Sequence, residues 1–188
     1  MRKNHWLRPA AIAAVGFLAA GCVSTESRIT TTYYTISGST GADLDREIAS
    51  KGPLKGHAMA SAAIKFVPVA IAYDKSDGMC RFGEASFRIE ANVTLPRWRA
   101  HAASDADLRV AWKFLAKYAR EHEQVHVAIA EKYARKIGAE LKALPAQKDC
   151  DRLDDAAERV LKRNKRDHNR DQLAFDAAEQ KRLGTLFD

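Results

Sequence analysis

Residues 104–144 read SDADLRVAWKFLAKYAREHEQVHVAIAEKYARKIGAELKAL and form the longest periodic segment of the chain. Apolar residues and two histidines recur every three or four positions, the spacing of one helix face. That face comprises Leu108, Trp112, Leu115, Ala119, His122, His126, Ile129, Tyr133, Ile137 and Leu141. Pro145 ends the pattern. We therefore predict one long helix over residues 104–144, with both histidines on its buried face.

The motif His122-Glu123-Gln124-Val125-His126 lies in the middle of this helix. Two residues four apart are separated by about 400° of rotation and about 6 Å of rise, so both imidazoles project from one face. Such a pair is a two-point clamp for Zn²⁺. Glu123 is turned by about 100° and can reach a metal-bound water as general base. The alternative is that both histidines are core residues that donate to backbone carbonyls.

Upstream of this helix, three segments have the residue types and alternation of β-strands. They cover residues 28–37, 59–73 and 82–95, and the third runs on into Pro96. Pro68 within the second segment indicates a sheet edge or a bulge, because proline cannot donate to a strand ladder. We expect a small antiparallel sheet.

A second helical pattern covers residues 151–182 and contains a charged block at 162–166 that we interpret as a solvated face. The segments together predict an α+β fold: a small antiparallel sheet, a long helix packed on it, and a closing helix at the C-terminus. We expect one zincin-like domain over residues 28–188.

The N-terminal segment has the order of a secretory signal peptide. A positively charged start precedes an apolar run over residues 10–20, and small residues lead to Gly21-Cys22. The run reaches only about 16 Å, against a hydrocarbon core of about 30 Å. The ending resembles the lipobox of bacterial lipoproteins, although Ala19 stands where that pattern prefers leucine. We predict a signal peptide over 1–21, a lipidated tether over 22–27 and a lipid on Cys22; plain secretion is the alternative.

Export places the two remaining cysteines in an oxidising compartment, where disulfides persist. We predict that Cys80 and Cys150 form a disulfide. The alternative, two zinc-binding thiolates, lacks a C-x-x-C neighbour.

Nucleic acid is not an expected partner. The formal net charge of +7 falls to +4 when Arg2, Lys3 and Arg8 leave with the signal peptide. The remaining basic residues are interleaved with acidic ones. The sequence also lacks a basic stripe with aromatic residues between the basic ones, which single-strand binders need.

The sequence resembles a bacterial family, the domain of unknown function numbered 922, whose members are described as predicted secreted zinc-dependent proteases. The landmarks that carry this resemblance are Tyr33-Tyr34, Ile36-Ser37-Gly38, Gly52-Pro53, Cys80-Arg81, Leu95-Pro96-Arg97-Trp98, the motif from His122 to His126 with Val127 and Ala130, Cys150, and Phe175-Asp176. The resemblance implies a zinc hydrolase outside the cytoplasm. Family members commonly continue after Tyr-Asp with Thr and then His-Gly, whereas this chain has Glu179, Lys181 and Arg182 there.

A hydrolytic zinc site needs a third protein ligand and an open position. Glu131 and Glu140 on the long helix point away from the clamp or lie too far along it. The other candidates are His57, His101, His168 and the acids of the closing helix. His57 and His101 have loop-like surroundings, and His168 has polar neighbours. We predict Asp176, which matches the family landmark and would reach the clamp from a helix running antiparallel to the first.

The leading hypothesis is a zinc-dependent hydrolase of the cell envelope, a peptidase, with His122, His126 and Asp176 as zinc ligands and Glu123 as base. Its partners would be a peptide or protein substrate and the membrane, through the lipid on Cys22, facing the periplasm and anchored in the outer membrane. A second hypothesis is a non-catalytic lipoprotein with a structural or vestigial zinc site that acts as a binding module. A third is a helical scaffold without metal.

Replacement of the lipidated residue should detach the protein from membranes. We expect Cys22→Ser to move the protein from the membrane fraction to the periplasmic fraction, because stable anchoring needs the acyl chains. Fractionation with immunoblotting measures this, and mass spectrometry of the wild-type N-terminal peptide identifies the lipid. An unmodified peptide and unchanged fractionation would rule out the anchor.

Overall fold

The computed structural model describes residues 27–100 and 104–187, with side chains up to residue 184. The predicted signal peptide, Cys22 and His101 lie outside these residues. The elements in chain order are β1 (Arg28–Gly38), α1 (Gly41–Lys51), a 3₁₀ turn (Leu54–Gly56), β2 (Ser61–Asp74), β3 (Arg81–Ala100), α2 (Ala106–Lys142) and α3 (Cys150–Phe187). Among the described residues, no helix combines the length and the hydrophobicity that a membrane crossing requires.

The α+β class is confirmed, and the sheet differs from the prediction in one respect. Its strand order is β1-β3-β2. β2 is antiparallel to β3, but β1 runs parallel to β3, so the sheet is mixed and not wholly antiparallel. After β1 the chain crosses over through α1 and the 3₁₀ turn. β2 then begins one strand position away from β1, so a gap for one strand is left between them. β3 then fills that position, parallel to β1.

β2 is an edge strand, as Pro68 predicted. The β2–β3 register shifts between Pro68 and Ala70. No residue of β2 is fully buried. One side of its backbone pairs with β3, and its outer side has no strand partner among the described residues.

Pro96 lies in the central strand β3, where it cannot donate a ladder hydrogen bond. Tyr34 of β1 is opposite Pro96 on one side. On the other side, the β2–β3 register continued backwards from Ser61 and Thr94 brings Met59 opposite Pro96. The hydroxyl of Tyr34 donates to the carbonyl of Met59 at 2.8 Å. The tyrosine side chain thus crosses Pro96 and ties β1 to the segment that precedes β2.

The core lies between one face of β3 and the underside of α2. Alternate residues of β3, from Phe82 to Leu95, pack against a line of buried α2 residues from Val127 to Leu141. At Gly138 the helix comes so close to the sheet that an added Cβ would lie 2.7 Å from the carbonyl oxygen of Ala85. Glycine is therefore required in the middle of this helix despite its low helix propensity.

The two long helices are tied together by a buried polar network. Asn164 is fully buried on α3; its Oδ1 accepts from Lys136 Nζ at 2.7 Å, and its Nδ2 donates to Glu140 Oε2 at 2.5 Å. Burial raises the pKa of Glu140, but hydrogen bonds from Lys136, Asn164 and Arg163 outweigh this and lower it to about 2. The stabilisation from the Glu140 carboxylate is therefore present above its ordinary pKa of 4.5 and is lost as pH falls towards 2. The charged block at 162–166 is solvated except at Asn164.

The predicted disulfide between Cys80 and Cys150 is confirmed. It joins residues 70 positions apart in sequence. In the chain-entropy view, closing such a loop stabilises the fold by about 4 kcal/mol. The bond fixes the first residue of α3 beside the start of β3.

Asn164 should be a strong determinant of stability. We expect Asn164→Ala to lower the free energy of unfolding by about 1–3 kcal/mol, because Lys136 and Glu140 lose their buried partner. Urea denaturation followed by circular dichroism measures the change. The matched control is Asn92→Ala on the exposed sheet face, for which we expect a change within about 0.5 kcal/mol. Equal losses in the two variants would contradict the role of the network.

Candidate metal centre

Three atoms of the kinds that bind metals converge between α2 and α3. His126 Nε2 lies 3.0 Å from His122 Nε2. Asp176 Oδ1 lies 3.2 Å from His122 Nε2 and 3.0 Å from His126 Nε2. The structure thus brings together the two histidines of the motif and the third residue predicted from sequence. We call His122, His126 and Asp176 the triad.

These distances fit a single metal ion. With bonds of about 2.0–2.1 Å and tetrahedral angles, zinc holds neighbouring ligand atoms about 3.3 Å apart. The three edges of the triad are close to that value, and the group could hold a metal ion. Two neutral imidazoles and one carboxylate are also an ordinary ligand set for zinc.

Hydrogen bonding alone does not satisfy the triad. Gln172 Oε1 lies 2.5 Å from His126 Nδ1. An amide oxygen only accepts, so Nδ1 of His126 carries the hydrogen, and in that tautomer Nε2 presents a lone pair to Asp176. Burial, and secondarily His126, lower the pKa of His122, which favours its neutral form. One proton can form a hydrogen bond between only two of the three atoms. A single cation at the centre of the triad can be bound by all three.

The sequence predicted that His122 and His126 lie on the buried face of α2. In the structure they lie beside that face and are only partly buried. The buried residues of α2 are Ala119, Glu123, Val127, Ala130, Tyr133, Ala134, Ile137, Gly138 and Leu141. His122 and His126 lie on the shoulder of this buried face, with side chains 20% and 14% exposed. This shoulder faces α3, and both histidines line the cavity between the helices and the start of β2.

α3 returns antiparallel to α2 and brings Asp176 over the histidines. Phe175 contacts both imidazoles, with ring centroids 4.8 Å from His122 and 5.1 Å from His126. The aromatic ring therefore forms the apolar side of the site and limits rotation of the two imidazoles. The Phe175-Asp176 landmark of the resemblance therefore lies at the candidate metal centre.

Gln172 supports the site from one turn before Asp176. Its Oε1 accepts from His126 Nδ1, and its Nε2 donates to the His126 carbonyl at 3.1 Å. Such a partner on the far nitrogen fixes both tautomer and ring orientation of a metal-binding histidine. Sequence reasoning missed Gln172, although its i−4 spacing from Asp176 is a usable signal.

The prediction that His168 lies on a polar face is wrong. Its ring is half-buried and makes edge contacts with Phe66 and Tyr133, at centroid distances of 5.2 and 5.5 Å. Its Nε2 lies 2.9 Å from Gln172 Nε2 and accepts a hydrogen bond from that amide nitrogen. Burial lowers the pKa of His168. His168 therefore reaches the triad only through Gln172.

Glu123 is the most buried acid in the site, with 4% of its surface exposed. Burial raises its pKa to about 7, against the opposing effect of His126. Within the described part of the chain, no hydrogen bond reaches its carboxylate. A carboxyl group with a pKa near neutrality can both take up and release a proton under ordinary conditions.

Glu123 and the triad line a cavity of about 520 Å³. Its opposite wall is formed by the 3₁₀ turn and the start of β2. The sequence candidates that the structure does not bring here are His57, which is exposed, and Glu131, which accepts a hydrogen bond from Ser27. Cys80 and Cys150 are joined to each other and are not metal ligands.

Comparison with known proteins assigns the chain to a family. A family model described as "Bacterial protein of unknown function (DUF922)" matches residues 31–184. The chain belongs to this family. No curated protein and no solved structure matches it.

In this DUF922 protein, two of the three positions at which the resemblance marked a departure, Glu179 and Arg182, form a polar cluster with Tyr118 beside the triad. Tyr118 donates to Glu179 Oε2 at 2.7 Å, and Arg182 pairs with the same oxygen at 2.8 Å. Burial, followed by the hydrogen bond to Glu179, raises the pKa of Tyr118. The cluster contributes no atom to the triad, which is complete as a three-residue set without it.

Loss of the carboxylate should weaken metal binding. We expect Asp176→Ala to bind Zn²⁺ at least tenfold less tightly, because one of three ligand atoms is removed. Titration calorimetry on metal-free protein measures the affinity. The matched control is Asp167→Ala on the same helix, whose carboxylate pairs with Arg170 and should leave zinc affinity unchanged. Wild-type affinity in Asp176→Ala would mean that the third ligand lies elsewhere.

Proposed function

We propose that this protein is a zinc-dependent hydrolase of the bacterial cell envelope and that it cleaves peptide bonds. The observation that carries the proposal is the triad itself, with three ligand atoms 3.0–3.2 Å apart and a buried carboxylic acid beside them. His122, His126 and Asp176 would hold the zinc. When bound, zinc would act as a Lewis acid that polarises a substrate carbonyl and makes water more nucleophilic at neutral pH.

Glu123 is the residue that moves the proton. Its carboxylate lines the same cavity as the triad and has no protein partner among the described residues, so it is available to water or substrate. Its raised pKa suits removal of a proton from attacking water and delivery of a proton to the departing amine. Gln172 and Phe175 keep the imidazoles in place while this happens.

The sheet edge favours a peptide over other amides and esters. β2 is the edge strand, and residues 60–62 at its start line the cavity. An edge strand offers unpaired backbone N–H and C=O groups, which an extended peptide can complement with its own. Peptide and protein substrates of the envelope are therefore the proposed partners.

The envelope location rests on the N-terminal sequence and on the disulfide. A signal peptide ending at Cys22 would direct export and lipid attachment, facing the periplasm from the outer membrane; secretion without an anchor is the alternative. The Cys80–Cys150 bond is consistent with this, because such bonds persist in oxidising compartments.

A second function is favoured by one observation. The residues at the family's His-Gly positions are replaced, and Glu179 and Arg182 are engaged with Tyr118 beside the site. A non-catalytic lipoprotein with a structural or vestigial zinc centre would act as a binding module in the envelope. It would bind zinc with similar affinity and hydrolyse nothing.

Glu123→Gln should separate the two functions. We expect this variant to keep its zinc and to lose hydrolysis by at least a hundredfold, because the amide preserves shape but cannot accept a proton. Zinc content by mass spectrometry and cleavage of a peptide library are the readouts. Glu121→Gln is the matched control, since Glu121 is exposed on the same helix and pairs with Lys117. Full activity in Glu123→Gln would remove Glu123 from the mechanism, and an inactive wild type with bound zinc would favour the binding module.

A further inference from the structure

The triad lies in the middle of a groove that continues on both sides. One side is the cavity already described, bounded by Leu54 and Ile64. On the other side is a second cavity of about 300 Å³, bounded by Tyr118 and Leu183. The two cavities share Ala58, Ala60, His122, Glu123 and Asp176. They are therefore two halves of one groove, which we call the triad groove.

Most of the exposed surface in both halves of the triad groove is apolar. Leu54, Ala62 and Ile64 line the first half. Met59, Ala119 and Leu183 line the second half, together with Tyr118. A ligand that occupied the whole groove would bury apolar groups on each side of the triad.

Away from Glu123 and the triad, neither half has a charged side chain among the described residues that could pair with a chain terminus. Apart from Glu123 and Asp176, no Asp, Glu, Lys or Arg lines either half in the described part of the chain. At the second half, Glu179 and Arg182 pair with each other. A free α-amino or α-carboxylate group carries a full charge, and removing it from water without a counter-charge is costly. An enzyme that recognises a terminus needs such a partner close to its reacting atoms.

We infer that the protein cleaves within an extended polypeptide and not at its ends, with apolar residues on both sides of the cleaved bond. The inference rests on the proposed function. In the reaction, water adds its hydroxyl to the carbonyl carbon and its remaining proton goes to the amide nitrogen, so the C–N bond breaks and two shorter peptides leave. Both products extend from the triad, and a groove open on two sides accommodates both.

A strained turn supports the role of the first half. Leu54 and Lys55 have φ values of +53° and +60°, in the left-handed region that such residues rarely adopt. At Gly56, an added Cβ would lie 1.8 Å from the carbonyl oxygen of Ala49, so the turn is closely packed on α1. The result is that Leu54, an apolar side chain 68% exposed, is held at the groove wall. Strain of this kind concentrates at ligand-binding positions.

The first experiment compares free and blocked peptide ends. The probe is an extended peptide of about ten residues, long enough to span about 33 Å, with Leu-Leu at its centre and Ser and Gly elsewhere. It is prepared with free termini and with acetylated and amidated termini. We expect the zinc-loaded wild type to cleave both at the centre with rates within about twofold. Cleavage only of the free form, within one or two residues of an end, would overturn the inference and leave the proposed hydrolase intact.

The second experiment measures binding without turnover. Fluorescence anisotropy with the Glu123→Gln protein gives the affinity for the same two labelled peptides. We expect equal affinity for free and blocked forms, and about tenfold weaker binding when the central Leu-Leu is replaced by Ser-Ser, because apolar burial is lost. Binding that requires a free terminus, or no binding of either peptide, would overturn the inference even if the wild type proves inactive.

The third experiment locates the two halves. In the Glu123→Gln background, Leu54→Asn and Leu183→Asn should each weaken binding of the blocked Leu-Leu peptide by about fivefold to tenfold. Asn tolerates the left-handed conformation at position 54, so the turn is retained. Leu173→Asn is the matched control, since Leu173 is exposed on α3 and lines neither half. Weaker peptide binding in only one of the two variants, Leu54→Asn or Leu183→Asn, would overturn the inference that the ligand occupies both halves.

Discussion

The register between α2 and α3 is the constraint on which the rest of the site depends. Two long antiparallel helices can pack at several offsets, and one turn of slip shifts a residue by about 5.4 Å. The triad tolerates far less, because its atoms are 3.0–3.2 Å apart. Apolar contacts alone would not select one offset strongly, since neighbouring offsets bury similar area. Polar ties are selective, because a shifted donor loses its acceptor.

Those ties occur at intervals along the helix pair. The disulfide first fixes the start of α3 beside the start of β3, and the first polar tie between the two helices is Asn164, which joins Lys136 and Glu140. Asp171 then accepts hydrogen bonds from Lys132 at 3.0 Å and from Tyr133 at 2.8 Å, which, with secondary help from Arg170, lower its pKa to about 2. Asp176 follows about one and a half turns later. The candidate metal centre is thus the last of a series of matched positions along the two helices, and its geometry depends on the earlier ones.

Sequence reasoning recovers the features that depend on local spacing. The i, i+4 histidines and the two long helices follow from periodicity, and the disulfide follows from compartment and cysteine count. Long-range pairing is different, because β1 joins β3 through residues about 60 positions apart and no short pattern encodes a parallel partner. Asn164 and His168 were misread for a related reason: their neighbours in sequence are charged, while the neighbours that decide their burial belong to α2 and β2. Glu123 is an acidic residue among the buried residues of α2. Such a break in an apolar pattern is expected at a functional site.

Pro96 has an effect that extends from the sheet to the groove. A central strand with an amide at this position could hold residue 59 in the ladder, and β2 would begin earlier. Pro96 has no N–H to donate, and the contact at this point is the hydrogen bond that the Tyr34 hydroxyl donates to the carbonyl of Met59. Residues 58–60 therefore leave the sheet, and β2 begins at Ser61. Ala58 and Ala60, which face both halves of the triad groove, thus lie outside the sheet, and the mouth of the site opens where the β2–β3 ladder ends beside Pro96.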